Sequence, residues 1–236
     1  MPDLALASNS RLTADAYAAL MRIEPDSVKI VYNGIDERTL SDQIRHCEDP
    51  RATLGIAPDA VVVGTVFRMS EEKRPLLWID VASILADRHP DWHFVIVGAG
   101  PMQCTILEHA AAASLPNLHL PGKQQEVGAW FNAFDLMLLT SRVEGVSNAV
   151  VESQMCGCPV VAPDVGGLSE AMEDGVSGRL LDSSEALDMA NAVEELLVDR
   201  SRARAVGESA RDFAREKFGM DRMVAGYREL FGLSEG

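Results

Sequence analysis

The sequence predicts an α/β protein built on a doubly wound parallel sheet. Three observations lead there. Six short runs rich in β-branched residues are nearly continuous in apolar residues, the pattern of strands covered on both faces. Longer stretches at helical period separate these runs over about 120 residues, so strand follows strand through a helix, and such crossovers are right-handed and keep strands parallel. With 236 residues, 47% of them apolar, and a mean hydropathy near zero, the chain can bury a full core.

The first fifty residues stand outside that rhythm. "LALASNS" reads as a strand, 11–22 as a helix, "VKIVYNGID" as a strand and turn, and "HCEDPRATLGIAPDA" as a polar connection. Residues 1–50 therefore read as the end of a preceding unit and its linker. The main domain, 51–217, holds strands at 61–67, 93–98, 117–120, 135–140, 159–162 and 178–181. Helices are expected at 72–88, 102–114, 125–133, 148–156, 166–172, 185–198 and 201–217. The last stretch, 218–236, carries one more helix, "MDRMVAGYRELF", with Met223, Tyr227, Leu230 and Phe231 on one face. That face is expected to be exposed, or covered by residues 1–22 or by a second copy of the chain in a homodimer.

Charge narrows the function. Against 21 Lys and Arg stand 36 Asp and Glu, a formal charge of -15, which opposes broad binding to nucleic acid or to anionic membranes. Any phosphate must be held by a local site. No apolar run is long enough to span a membrane and the start lacks the order of a signal peptide, so the expected location is cytoplasmic. Four scattered cysteines fit reduced thiols. Cys156-Gly157-Cys158 has no second Cys/His pair at zinc-like spacing, so it reads as two small buried residues around a helix-ending glycine, and no metal is expected. The five histidines show no pairing with a nucleophile or with each other and read as structural.

The chemistry concentrates at strand ends, where ligands of such sheets bind. "DLMLLT" ends at Thr140, so "SRVEGVSN" is a loop and "AVVESQM" the helix after it. Ser147 and Asn148 suit a helix start, Gly145 lets backbone approach a ligand, and the free N–H groups of the helix offer an anion site. Glu144 and Glu152 flank it. Carboxylates beside a bound anion repel it unless they accept hydrogen bonds from hydroxyls of the same ligand, as a sugar or ribose supplies; the bland alternative is a solvated helix start. In "FRMSEEKRP", Arg68 and Lys73 leave the first main strand, a fork and a point charge suited to a diphosphate. Their alternative is pairing with Glu71 and Glu72. "VGAGP" resembles a dinucleotide fingerprint only loosely.

In this order, "VYNGID", "FRMSEEKRP", "HFVIVGAGP", "NLHLPG" and "SRVEGVSNAVVESQMCGCPVVAPDVGGLSEAMEDGVSGRLL" resemble the carboxyl-terminal, donor-binding half of a retaining glycosyltransferase of the GT-B fold, with two facing Rossmann-like domains, in glycosyltransferase family 4. The resemblance covers 28–181, and Glu144 to Glu152 matches the family's Glu-x7-Glu motif. It implies that Arg68 and Lys73 hold the pyrophosphate of a UDP- or GDP-sugar, that Glu152 holds the ribose, and that Glu144 sits under the transferred sugar. It further implies that the backbone of Gly145, Val146, Ser147 and Asn148 contacts sugar and phosphate, with Gly122 and Lys123 near the base. Phe67, Arg74 and Ala99 depart from the common pattern without removing a charge.

The implied activity is metal-independent hexosyl transfer to a saccharide, lipid or small-molecule acceptor, as in polysaccharide biosynthesis, with no cofactor. The acceptor-binding N-terminal domain is expected to be missing, residues 1–22 being its last strand and helix. The alternative is a truncated, non-catalytic sugar-nucleotide-binding module. An epimerase or a phosphorylase would share the sheet but needs acid/base groups or a cofactor lysine that the sequence does not place.

Overall fold

The computed structural model describes residues 5–115 and 117–233. Leu4 of the expected first strand and residues 234–236 of the tail lie outside them. Strands β3 (Val62–Val66), β4 (His93–Val97), β5 (Leu118–Gly122), β6 (Leu136–Leu138), β7 (Val160–Pro163) and β8 (Gly178–Leu181) form one sheet, ordered β5-β4-β3-β6-β7-β8. Every neighbouring pair is parallel. The chain runs outward through β4 and β5, then returns to lay β6 against the other edge of β3. Its direction of travel reverses between β3 and β6, which opens a crevice beyond their carboxyl ends.

The apolar strands bury both faces, as their sequence predicts. Phe94, Ile96, Leu136 and Leu138 face one core, which holds Trp78 and Ile79 of helix α4 (Pro75–Arg88), Ile106 of α5 (Gln103–Ala112), and Met189 and Val193 of α9 (Ala186–Leu197). The alternate residues Val95, Val97, Met137 and Leu139 face the other. Phe131 of α6 (Val127–Ala133), Val151 of α7 (Asn148–Met155) and Phe218 of α10 (Arg200–Phe218) fill that second core. Trp78, fully buried, donates its indole N–H to the Leu138 carbonyl at 3.1 Å, so its own polar group is not stranded.

Ahead of this sheet, β1 (Leu6–Ser8) and β2 (Val28–Ile30) pair in parallel through α1 (Arg11–Met21) as a separate two-stranded unit, with Ala14, Ala18 and Val28 as its small core. Between the two units the structure adds helices the sequence reading left out. Helix α2 (Glu37–His46) is started by Asp36, whose carboxylate accepts the Arg38 amide, and Leu40 is buried. Its Gln43 Oε1 accepts the Gly128 amide at 2.8 Å, fixing α2 on α6. Inside the expected polar connection, α3 (Pro50–Thr53) sets Arg51, which bonds the Ala133 carbonyl, the Ala60 carbonyl and the Asp135 carboxylate and so pins the starts of β3 and β6.

The tail helix α11 (Met220–Leu230) folds back over β2 and the segment after it. A Cβ on Gly226 would lie 3.2 Å from Val31, and Gly34 sits against Met220 and Met223. Tyr227 and Phe231 stack on each other and stay exposed, as the face pattern predicts. No helix among the described residues is long and apolar enough to cross a membrane.

Backbone approach at the strand ends sets the crevice. A Cβ on Gly98, where φ is +143°, would stand 1.9 Å from the Phe67 carbonyl oxygen, and Gly98 N–H donates to Gly122 at 2.9 Å. The loops after β3, β4 and β5 are thereby drawn into one layer. Gly98→Ala, both strained and overlapping, should lower the free energy of urea unfolding by more than about 3 kcal/mol; a loss below about 1 kcal/mol would contradict this placement.

Candidate functional site

Two predicted residues, Lys73 and Glu144, meet beyond the ends of β3 and β6, and Arg68 and Glu152 lie on the elements that carry them. Arg68 leaves β3 exposed, and among the described residues no carboxylate pairs with it. Lys73 was expected inside a helix from residue 72. It instead closes a 3-10 turn, Glu71–Lys73, because Arg74 adopts a left-handed conformation (φ 49°) and Pro75 begins α4 behind it. Thr140, at the end of β6, holds that turn by donating to the Lys73 and Arg74 carbonyls at 2.9 and 3.2 Å.

The turn aims Lys73 across the crevice. Its Nζ meets Glu144 Oε1 at 2.5 Å, and the Ser141 hydroxyl donates to the same oxygen at 2.6 Å. The Glu144 side chain is only 8% exposed, so this is a shielded pair. Lys73 therefore pairs with neither Glu71 nor Glu72; Glu72 accepts the Ser70 hydroxyl, which holds its carboxyl below the usual range, with Arg68 and Lys73 assisting at longer reach.

Glu152 lies one turn inside α7. Burial pushes its carboxyl up to about 7. Among the described residues nothing donates to that carboxyl and no cation pairs with it. A half-buried carboxylate with unused acceptor capacity is unfavourable as the anion unless hydroxyl or amide donors reach it. Between the two glutamates, Ser147 is the N-cap of α7, yet its hydroxyl makes no capping bond, so the first amides of the helix, starting at Asn148, have no side-chain acceptor. Val146 packs partly into the core and holds the loop down. Gly145 is exposed, and no atom lies within 4 Å of where its Cβ would be. Backbone contact holds the loop from beneath: Gly167 N–H donates to the Glu144 carbonyl at 3.0 Å, and a Cβ on Gly166 would overlap that oxygen at 2.0 Å.

Gly122, with φ +78°, ends β5 and joins this layer through its bond from Gly98; Lys123 beside it is exposed. The loop after β3 and the loop and helix after β6 thus carry two cations, two carboxylates and a helix start with open amides, and one cation and one carboxylate, Lys73 and Glu144, are in contact. Such a set can hold an anion between the cations and accept hydroxyl donors on both flanks.

Two other readings resolve elsewhere. Burial pushes the Cys156 and Cys158 thiols up to about 12, and Gly157 between them has φ +78°, so this is a helix-ending turn with inert thiols. One histidine pair meets, against expectation: His93 Nδ1 lies 3.0 Å from His119 Nε2 across β4 and β5; His109 meets Asp80, and His89 meets Glu194. No local pattern announces these contacts, because each partner comes from another element.

The family model for glycosyl transferases group 1 matches residues 48–213. The chain belongs to that family. It is 30% identical over 230 residues to the Vi polysaccharide biosynthesis protein VipC/TviE of Salmonella typhi, covering 95% of this chain and 40% of that one. It is 29% identical over 235 residues to the D-inositol 3-phosphate glycosyltransferase of Paenarthrobacter aurescens, covering 95% and 57%. The chain thus spans about half the length of the curated relatives it matches. Among solved structures, Anabaena HepE in complex with UDP and glucose superposes with a TM-score of 0.85 at 24% identity, over 97% of this chain and 63% of that one. The C-terminal domain of a group 1 glycosyl transferase, LpcC of Francisella tularensis, superposes at 0.66 with 20% identity, over 79% and 100%. The architecture is that of a GT-B C-terminal domain.

The raised Glu152 carboxyl has a measurable consequence. Between its ordinary value of 4.5 and about 7, the folded chain keeps a proton that the unfolded chain has released. Its contribution to stability therefore falls as pH rises through that window, and the cost is complete above it, about 3 kcal/mol at full shift. Glu152→Gln should leave unfolding free energy little changed at pH 4.5 and raise it progressively toward pH 7.5. A difference between variant and parent that stays flat across that range would refute the assignment.

Proposed function

We propose that the chain is the donor half of a retaining glycosyltransferase that binds a nucleotide-diphosphate sugar and passes its glycosyl group to an acceptor. The observation that supports this reading is the contact of Lys73, from the loop after β3, with Glu144, just ahead of the open start of α7, at the sheet's switch point. UDP is the favoured nucleotide, since structures of HepE hold UDP and UDP-glucose. The relatives' names favour saccharide or small-molecule acceptors, and polysaccharide assembly among them.

In this reading Lys73 and Glu144 hold each other until the donor replaces the contact. The Lys73–Glu144 pair must open when a diphosphate arrives, because the phosphate oxygens outcompete one carboxylate for the ammonium. Arg68 and the amides from Gly145 to Asn148 take the remaining phosphate charge. Glu144, released, accepts from the sugar hydroxyls, and Glu152 accepts from the ribose; Gly122 and Lys123 flank the base. As the bond from sugar to phosphate breaks, negative charge builds on the diphosphate and positive charge on the sugar. Arg68, Lys73 and the helix dipole offset the first and Glu144 the second, so the scheme invokes no metal and no cofactor. The acceptor domain lies in the part of the relatives that this chain does not match. Four free thiols favour a reducing, cytoplasmic setting.

Calorimetry with UDP and UDP-glucose tests the roles. Glu152→Ala should weaken both ligands by about ten- to a hundredfold, the worth of a hydrogen bond to a charged group. Glu144→Gln frees Lys73, so UDP should bind at least as tightly as in the parent while the added affinity for the sugar is lost. Arg68→Ala and Lys73→Ala should weaken both ligands and flatten the salt dependence. Parent-like binding by both glutamate variants would sink the donor-site reading.

Donor hydrolysis separates enzyme from binding module. Linked to an acceptor domain, the chain should release glucose from UDP-glucose faster than alone. UDP binding with no release in either form would mark it as a sugar-nucleotide-binding module without transfer.

A further inference from the structure

Helix α8 (Leu168–Ala171) touches the crevice on one side and the β1–α1–β2 unit on the other. On the crevice side it follows Gly166 and Gly167, which lie against the backbone of Glu144 and Gly145 so closely that neither tolerates a Cβ. Gln154 of α7, two residues past Glu152, donates Nε2 to the Ala171 carbonyl at 2.9 Å. Leu168 and Ala171 are fully buried. This short helix therefore has little freedom to move independently of the loop and of α7.

Its one outward acidic residue is Glu170. The carboxylate accepts the Arg11 amide at 2.7 Å, the Leu12 amide at 3.2 Å and the Tyr32 hydroxyl at 3.0 Å. Arg11 and Leu12 are the first residues of α1, where amides lack partners of their own and a negative charge complements the helix dipole. Ser10, the ordinary cap, accepts only from Thr13, so Glu170 supplies what the local sequence does not. Tyr32 follows β2, and burial, then the Glu170 contact, pushes its hydroxyl up to about 12, which keeps it a donor throughout the physiological range. A second contact runs parallel: Asn33 Nδ2 donates to Asn148 Oδ1, at the start of α7, at 3.4 Å. Both ends of the small unit thus touch elements that line the crevice.

We propose that Glu170 is a positioning residue that couples the Glu144–Ser147 loop to the β1–α1–β2 unit, so that ligand in the crevice and order in that unit stabilise each other. The inference rests on the donor reading only for the identity of the ligand. Coupling of this kind is reciprocal: whatever factor the unit contributes to ligand affinity, the ligand contributes to the unit.

Hydrogen–deuterium exchange on the full chain tests it in two arms. Without ligand, Glu170→Ala should speed exchange in the peptide 9–22 and also in the loop peptide 141–150, each by about fivefold or more. A residue that merely capped α1 would speed 9–22 alone, and that outcome overturns the coupling. With saturating UDP, the parent should show protection of both peptides and Glu170→Ala protection of 141–150 only, with UDP bound about fivefold more weakly. Protection of 141–150 without 9–22 in the parent overturns the coupling and leaves the donor reading standing. No protection of 141–150 by UDP, GDP or UDP-glucose overturns the donor reading, and the ligand-free arm then decides the coupling by itself. Tyr32→Phe, which removes one of the three bonds, guards against a variant that fails to fold; it should move both peptides in the same direction by a smaller factor.

Discussion

The crevice depends on backbone approaching backbone more closely than any side chain allows. At two places the turn after a strand lies against its neighbour at a glycine: Gly98 on Phe67 and Gly166 on Glu144, each with a notional Cβ within 2.0 Å of a carbonyl oxygen. Both have positive φ, so the residue is required twice over, by space and by torsion. The contact between the two loops depends on that spacing. Lys73 reaches Glu144 because the loops after β3 and β6 are held in the same layer.

Within this frame the electrostatics are nearly self-cancelling. Lys73 and Glu144 neutralise each other, Ser70 and Ser141 each donate to one oxygen of Glu72 and Glu144, and burial disfavours the charged form of Glu152. In a chain with a formal charge of -15, these contacts lower the negative charge at the ends of β3 and β6. Two bare carboxylates there would repel any anion.

Much of this was legible in the sequence, and the reason is locality. Continuous apolar runs mark doubly covered strands whatever lies beside them, so the β3-to-β8 order of elements, the strand ends and the α7 start could be read directly. Arg68, Lys73, Glu144 and Glu152 were legible as candidates because strand ends are where such sheets hold ligands. What escaped was decided across the fold. The salt bridge from Lys73 to Glu144 needs the turn that Arg74 makes with a left-handed backbone, which nothing in "EEKRP" announces. Helix α2 has only Leu40 fully buried and is recognised by its packing on Gly128. Glu170 looks like a surface acid in "GGLSEAMED"; its three donors come from residues 11, 12 and 32. His93 and His119 meet because β4 and β5 are neighbours, a fact of topology.

Gly145 differs from the other glycines of the crevice. Its φ is not positive, and no protein atom stands within 4 Å of its missing Cβ. The fold has no need of a glycine there: a side chain at 145 would meet neither a clash nor a torsional penalty, whereas one at 166 would meet both. The loop is therefore fixed from beneath and open above. Its underside admits one residue, and its outer side leaves the residue to be set by demands that come from outside the fold.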